Sequence, residues 1–430
     1  MKKTLFAMIM ILCCLSWTTE KNEVELKIAV LSDIHIMNPQ LLRGDGDAIR
    51  NYIKRDRKLL QESVALLNVA IDSIIQERPD VVLMPGDLTK DGEYVSHRLV
   101  ADTLIKRFRD AGIAVYVIPG NHDVNNPHAA IYHGDSTSRT RTVSREEFAK
   151  IYSDYGYSVA LARDTASLSY VVQLDKNTRL IAIDACRYDE NDYARNTCVT
   201  GGQIRQATSD FIRRQTEEAR RDGCRMIAMM HHGLVRHWKW QDKVMSDYLV
   251  ADWEKHAEVM AKSGIGMIFT GHFHANDISE HGSWGDKIYD IETGSTVSYP
   301  MPFRIVSLGE DGIDINTRYI RQLPEIMSEM ELGGKARQYA VSAISAMVNN
   351  MLPKKVPSDI REETAKVLAK AYMAHLAGDE RMPETYPDEL KRVCKRLRPY
   401  SWKYAYALDK LGHYLYMDLG VDDNKVRLEW

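Results

Sequence analysis

Five short segments of this 430-residue chain carry side chains able to do metal and proton chemistry: Asp33-Ile34-His35, Gly86-Asp87, Gly120-Asn121-His122-Asp123, Met230-His231-His232 and Gly271-His272-Phe273-His274. Together they offer carboxylate, imidazole and amide oxygen, a donor mixture suited to two divalent ions of the Mn, Fe or Zn kind. Singly, each is unremarkable: D-x-H or G-D is what a turn at a strand end shows, and a lone histidine pair such as His231 and His232 is ordinary in a core or on a surface. Their shared position is what counts. Each segment stands at or just after an apolar run that reads as a strand, at residues 26–31, 81–84, 113–118, 226–230 and 266–269. In an open α/β sheet the carboxyl ends of the strands share one edge, so polar clusters far apart in sequence converge on one crevice.

The order of these motifs, D-x-H, G-D, G-N-H-D, H and G-H-x-H, resembles the calcineurin-like metallophosphoesterase family, and the match runs over roughly residues 26–320. The resemblance implies an α/β fold of two β-sheets sandwiched between helical layers, and a hydrolase that attacks a phosphomonoester or phosphodiester with a metal-bridging hydroxide. Two cations held about 3.5–4 Å apart need a ligand that touches both, because a shared carboxylate offsets their repulsion while fixing the gap. Asp87 is the natural bridge. On the family's pattern one ion, divalent or trivalent, takes Asp33, His35, Asp87 and His274, and the other takes Asp87, Asn121, His231 and His272. Phe273 then points away between its two histidines and packs. His232 falls behind the ligand shell. The resemblance assigns His122 to protonating or stabilising the leaving group. Asp123 is expected to orient the His122 ring as carboxylate partners do, or else to stabilise the turn.

Two loops invite further roles. Arg236-His237-Trp238-Lys239-Trp240 follows a metal ligand and is rich in aromatic and cationic groups, as a wall that stacks on a base or aryl group would be; tryptophans capping the core are the alternative. Here Gly233 follows His232, where many diesterase members of the family have proline. Residues 136–145, with Arg139, Arg141 and Arg145, read either as a phosphate clamp or as solvated loop charges.

Composition bounds the rest. A hydrophobic content of 44% over 430 residues exceeds what one domain usually holds. The net charge of −3 gives no electrostatic case for stable nucleic-acid binding. Lys2 and Lys3 ahead of the apolar run at 5–15 predict an export signal within residues 1–20, too short for a membrane span. That predicts a periplasmic or cell-surface protein. Cys14 is a site for lipidation and membrane attachment, with plain cleavage a few residues later as the alternative. Of the remaining cysteines, Cys186, Cys198, Cys224 and Cys394 show no zinc spacing; a Cys186–Cys198 bond is conceivable, and free thiols are expected.

Apolar residues recur at helical spacing between 56 and 75, ending at Pro79, and 205–220 reads as a second helix. Strands are predicted at 168–174, 180–184, 287–292, 304–308 and 313–319, the last two as a hairpin around Gly309-Glu310-Asp311-Gly312. After Pro324 only helical stripes follow. The expected organisation is therefore a signal over 1–20, a catalytic domain over 21–322 and a C-terminal helical domain over 323–430. Its basic run at 391–398 reads as a solvated helix face. The leading expectation is a two-metal hydrolase of a small phosphoester. A nuclease of the same fold is opposed by the acidic charge, and a non-catalytic surface binding protein by the complete ligand set. The sequence does not specify the oligomeric state.

Overall fold

Strands that bury both faces must be largely apolar, and those that end in the five motifs are, apart from Lys27 and Arg225 near their starts and Thr270 at the end of one. The computed structural model describes residues 26–429 except 57 and 284, so the expected signal over 1–20 and Cys14 lie outside the described residues. The strands run β1 (Leu26–Val30), β2 (Val81–Pro85), β3 (Ala114–Ile118), β4 (Ala130–His133), β5 (Ser136–Arg139), β6 (Ala162–Arg163), β7 (Tyr170–Gln173) and β8 (Thr178–Ile183). They continue with β9 (Arg225–Met230), β10 (Ile265–Thr270), β11 (Asp277–Ser283), β12 (Asp286–Glu292), β13 (Pro302–Leu308), β14 (Gly312–Tyr319) and β15 (Lys425–Glu429).

Two mixed sheets result. One is ordered β15-β14-β13-β1-β2-β3 and the other β11-β12-β10-β9-β8-β7-β6. β1, β2 and β3 run parallel, as do β8, β9, β10 and β12. Strand β9 shows how the layers are made. Ile227 and Met229 join the core shared with β1, β2 and β3, whereas Met226, Ala228 and Met230 face an outer cluster. That cluster takes Phe211 and Ile212 from α1 (Gln206–Arg221) and Ala257 and Met260 from α2 (Trp253–Lys262). The period of two in β9 thus sorts its residues between sheet and helix layers. The predicted sandwich of two sheets between helices is the observed architecture.

The C-terminal helices are α3 (Glu329–Met351), α4 (Ser358–Leu376), α5 (Tyr386–Leu397) and α6 (Trp402–Tyr414). Their starts are written locally: Ser328 and Glu331 form a capping box, Pro387 sits in the first turn of α5, and Ser401 caps α6. Their apolar faces close around Phe273, Ala275 and Trp238 from the motif loops, so the catalytic part contributes to their core. The last segment departs from the all-helical expectation, because β15 pairs antiparallel with β14 and extends the first sheet. Its alternation Val426, Leu428 is short and sits among charged residues, which hides it. Among the described residues no helix is long and apolar enough to cross a membrane.

Candidate metal centre

The five motifs occupy the carboxyl ends of β1, β2, β3, β9 and β10, and the chain bends sharply at each. Asp33, His35, Asp87, His272 and His274 have φ of 51°, 39°, 49°, 77° and 70°. Left-handed backbone costs a non-glycine residue about 1 kcal/mol or more, and it persists only where surroundings over-determine it. Here neighbouring loops hold each bend: Asp33 N–H donates to Gly86 O at 3.2 Å and His35 N–H to Asp87 O at 2.9 Å. The motif glycines make room. A Cβ on Gly120 would stand 2.1 Å from Asp87 Oδ1, and one on Gly271 would stand 2.0 Å from Ser32 Oγ.

The seven expected ligands are all buried and fall into two groups. Asp33, His35 and His274 bring ligand atoms together, as do Asp87, His231 and His272. In the first, His274 Nε2 lies 3.1 Å from Asp33 Oδ1, and His35 Nε2 lies 3.2 Å from His274 Nε2 and 3.7 Å from Asp33 Oδ1. In the second, His231 Nε2 is 3.3 Å from Asp87 Oδ2 and 3.0 Å from Asn121 Oδ1. Asp87 Oδ2 is also 3.6 Å from His35 Nε2, so one carboxylate oxygen faces both groups. Donors about 2.1 Å from a common ion stand roughly 3.0–3.4 Å apart at tetrahedral or octahedral angles, so most of these spacings are those of a coordination shell. The first group fits an ion on a further count. Asp33 Oδ1, which faces His35 and His274, is buried with no aligned hydrogen-bond partner among the described residues.

Electrostatics tune the same donors. Burial pushes the Asp87 carboxyl up, but the imidazoles of His231, His122 and His35 outweigh it and hold the group well below the usual range. Burial likewise opposes Asp33, and His274 outweighs it to lower that carboxyl. Burial pulls His35 and His272 well below the ordinary imidazole range, aided by Lys58 in one case and by His232 and His231 in the other. His231 shifts the other way, since Asp87 outweighs its burial and lifts it to about 9, a proton that a bound ion would displace.

His122 lies beside this constellation, its side chain 25% exposed. Its backbone N–H donates to Asp87 Oδ1 at 2.8 Å. The expected orientation of its ring by Asp123 is corrected: Asp123 is fully buried and accepts from the N–H groups of Leu88, Thr89 and Gly120 and from the Thr89 hydroxyl at 2.9–3.0 Å. Its carboxylate clamps the β2 loop to the β3 loop, because the turn at 120–123 aims it inward. The partner of the ring is Asp91, whose Oδ1 lies 2.9 Å from His122 Nδ1. Asp91 also faces Lys90 in a buried ion pair and accepts from the Tyr52 hydroxyl at 3.2 Å. In the sequence, Lys90-Asp91-Gly92-Glu93 looks like a solvated turn, and only its closeness to Gly86-Asp87 hints otherwise.

The other singled-out residues take structural places. His232 Nε2 lies 2.9 Å from Thr200 O, and its ring packs on His231 and His272. Trp238 is buried among the C-terminal helices, so the core reading of that loop holds. Arg139 bonds Tyr193 O, Arg141 pairs with Glu147, and Arg145 bonds the carbonyls of 165–167, which removes them as a phosphate clamp. All four described cysteines are free, with Cys186 buried.

Residues 26–276 match the family model of the calcineurin-like phosphoesterases, more than half of the chain. No curated protein matches the chain in sequence. Among solved structures the chain is similar to a dimetal phosphatase from Danio rerio, at 15% identity and a TM-score of 0.50 over 69% of this chain and 97% of that one. It is also similar to a purple acid phosphatase from yellow lupin (Lupinus luteus) seeds, at 11% identity and a TM-score of 0.44 over 68% of this chain and 51% of that one. With its family signature and its paired ligand clusters, this chain belongs to the calcineurin-like phosphoesterases and is a dinuclear metal-dependent phosphoester hydrolase.

Proposed function

We propose that the chain hydrolyses a small phosphomonoester or phosphodiester, with Asp33, His35, Asp87 and His274 around one ion and Asp87, Asn121, His231 and His272 around the other. When bound, the two ions polarise phosphoryl oxygens and lower the pKa of water in the cleft. The observation that carries this reading is the carboxylate of Asp87, which faces both ligand groups while His122 stands beside it. Because Asp91 engages Nδ1 of His122, Nε2 is the ring atom left to meet the substrate. From there it donates a proton to the departing oxygen. Lys58, largely buried and 3.5 Å from Asp56, adds a cation whose field reaches His35 and His122, where a phosphoryl group would sit.

Room for a leaving group lies on the side of Asp91, the partner of this histidine. A cavity of about 690 Å³ is lined by Tyr52, Asp56, His128 and Arg139 among others, and Tyr52 is the residue that bonds Asp91. A volume of that order suits a small molecule rather than a length of nucleic acid. A series of aryl and alkyl phosphoesters, turned over by metal-loaded wild type and His122→Ala, tests the reading. The rate lost in His122→Ala should grow with leaving-group pKa while metal content stays constant. An equal loss across the series, or a lost ion, would make His122 structural or a ligand.

A further inference from the structure

Next to the catalytic centre lies a second knot of buried imidazoles and carboxylates that the hydrolysis does not use. The loop after β9 brings His237, the start of β11 brings Asp277, and the last turn of α4 brings His375. One ligand atom from each lies within 4.8 Å of the others. The His237, Asp277 and His375 side chains are no more than 5% exposed. The ring of Phe273, held between two catalytic ligands, packs edge-on against both imidazoles with centroids 5.5 Å away.

Hydrogen bonding accounts for this knot only in part, through His375 Nδ1 and Glu380 Oε1. Both ring nitrogens of His237 and Nε2 of His375 are buried without a hydrogen-bond partner among the described residues. His237 Nε2 does lie 2.9 Å from Glu292 Oε2, but off the hydrogen-bond axis, and that oxygen is unpartnered as well. Leaving buried polar atoms unmatched costs roughly 1–3 kcal/mol each, so such a group of them points to a missing partner.

Carboxylates crowd the same place. Asp277 belongs also to a second group with Glu380 and Asp423, and His375 Nδ1 lies 3.0 Å from Glu380 Oε1. Arg304, the buried guanidinium nearby, directs its N–H groups to the carbonyls of Glu292, Asp277 and Asp423 and to the Thr317 hydroxyl. Burial pushes the Glu292 carboxyl up to about 7, and burial together with Asp277 pushes Glu380 up to about 9. Asp277 and Glu292 outweigh burial at His237 and lift that imidazole to about 10, so a proton on His237 stands where a bound cation would take its place.

We propose that His237, Asp277 and His375 bind a third divalent ion of the Zn²⁺ class, with Glu380 beside His375 as a further donor, separate from the catalytic pair. Two imidazoles and a carboxylate favour zinc and its first-row neighbours over calcium or magnesium. His237 comes from the part matched by the family model, and His375 lies beyond it on α4. The ion therefore ties the C-terminal helices to the catalytic sheets, and its binding free energy becomes stability of that junction.

The test is the Zn²⁺ stoichiometry of the full-length protein, by elemental analysis after reconstitution with Zn²⁺ and gel filtration, with thermal unfolding alongside. Wild type should hold three ions per chain and His375→Gln two, with a lower Tm in Zn²⁺ for the variant. Asp87→Ala should keep one, and the double variant none. An error in the catalytic assignment alters the Asp87→Ala count without abolishing the difference that His375→Gln makes. Equal Zn²⁺ content in wild type and His375→Gln overturns the proposal. Should His375→Gln fail to fold, His237→Gln takes its place, and an Asp87→Ala protein without Zn²⁺ overturns the proposal on its own.

Discussion

The loops at the ends of β1, β2, β3, β9 and β10 and the inner faces of helices α3 to α6 are both buried, yet they satisfy opposite demands. In the loops, five ligand residues hold left-handed backbone, and carboxylates and imidazoles stand 3.1–3.7 Å apart with some atoms unmatched. In the helices, Ile344, Leu368, Leu390 and Leu397 meet in ordinary apolar packing behind regular caps. The loops are arranged for a charge that the protein itself does not supply, and the helices, His375 of α4 apart, for one another and for Phe273 and Trp238. Strain and unmatched polarity therefore mark the site of chemistry, and smooth packing marks what supports it.

Substitutions sharpen this contrast, and the largest effect belongs to the shared carboxylate. Asp87→Ala should reduce phosphoester turnover to background, because the bridge serves both ions, and the loss should persist at high added metal. His122→Ala should retain the catalytic ions and lose about 10²–10⁴-fold in kcat for an alkyl ester, the range for a general acid, as steady-state assays would show. Asp91→Asn should follow the same leaving-group trend at about 10–100-fold, as for other partners that orient an imidazole. The comparison predicts the reverse pattern in the helices. Leu390→Ala, at a fully buried position, should cost about 2–5 kcal/mol in chemical denaturation and leave kcat nearly unchanged. A large kcat loss in Leu390→Ala with intact stability would erase the distinction between the two regions.

The legible part of the molecule was the part where letter and context coincide. Asp33, Asp87, His231 and His274 each follow an apolar run, so a strand-end position could be read with the residue type. Adjacency misled at Asp123: the neighbour of His122 in sequence turns its carboxylate back into the loop at 88–89, while Asp91 reaches the ring from a turn that looks solvated. The C-terminal helices were legible from their stripes and prolines. Their partner surface was not, because Phe273 and Trp238 lie in loops well before them in the chain and no local pattern connects the two. β15 was missed for the same reason, since its stability comes from pairing with β14 and not from its own composition.

The central claim is that Asp87 holds two ions in one centre, and electron paramagnetic resonance of the Mn²⁺-loaded protein tests it most directly. Ions bridged by one carboxylate at about 3.5–4 Å are magnetically coupled. The account predicts the multiline signal of a coupled Mn²⁺ pair in the wild type and its loss in Asp87→Ala. Isolated Mn²⁺ signals alone in the wild type, or a coupled signal that survives in Asp87→Ala, would contradict it.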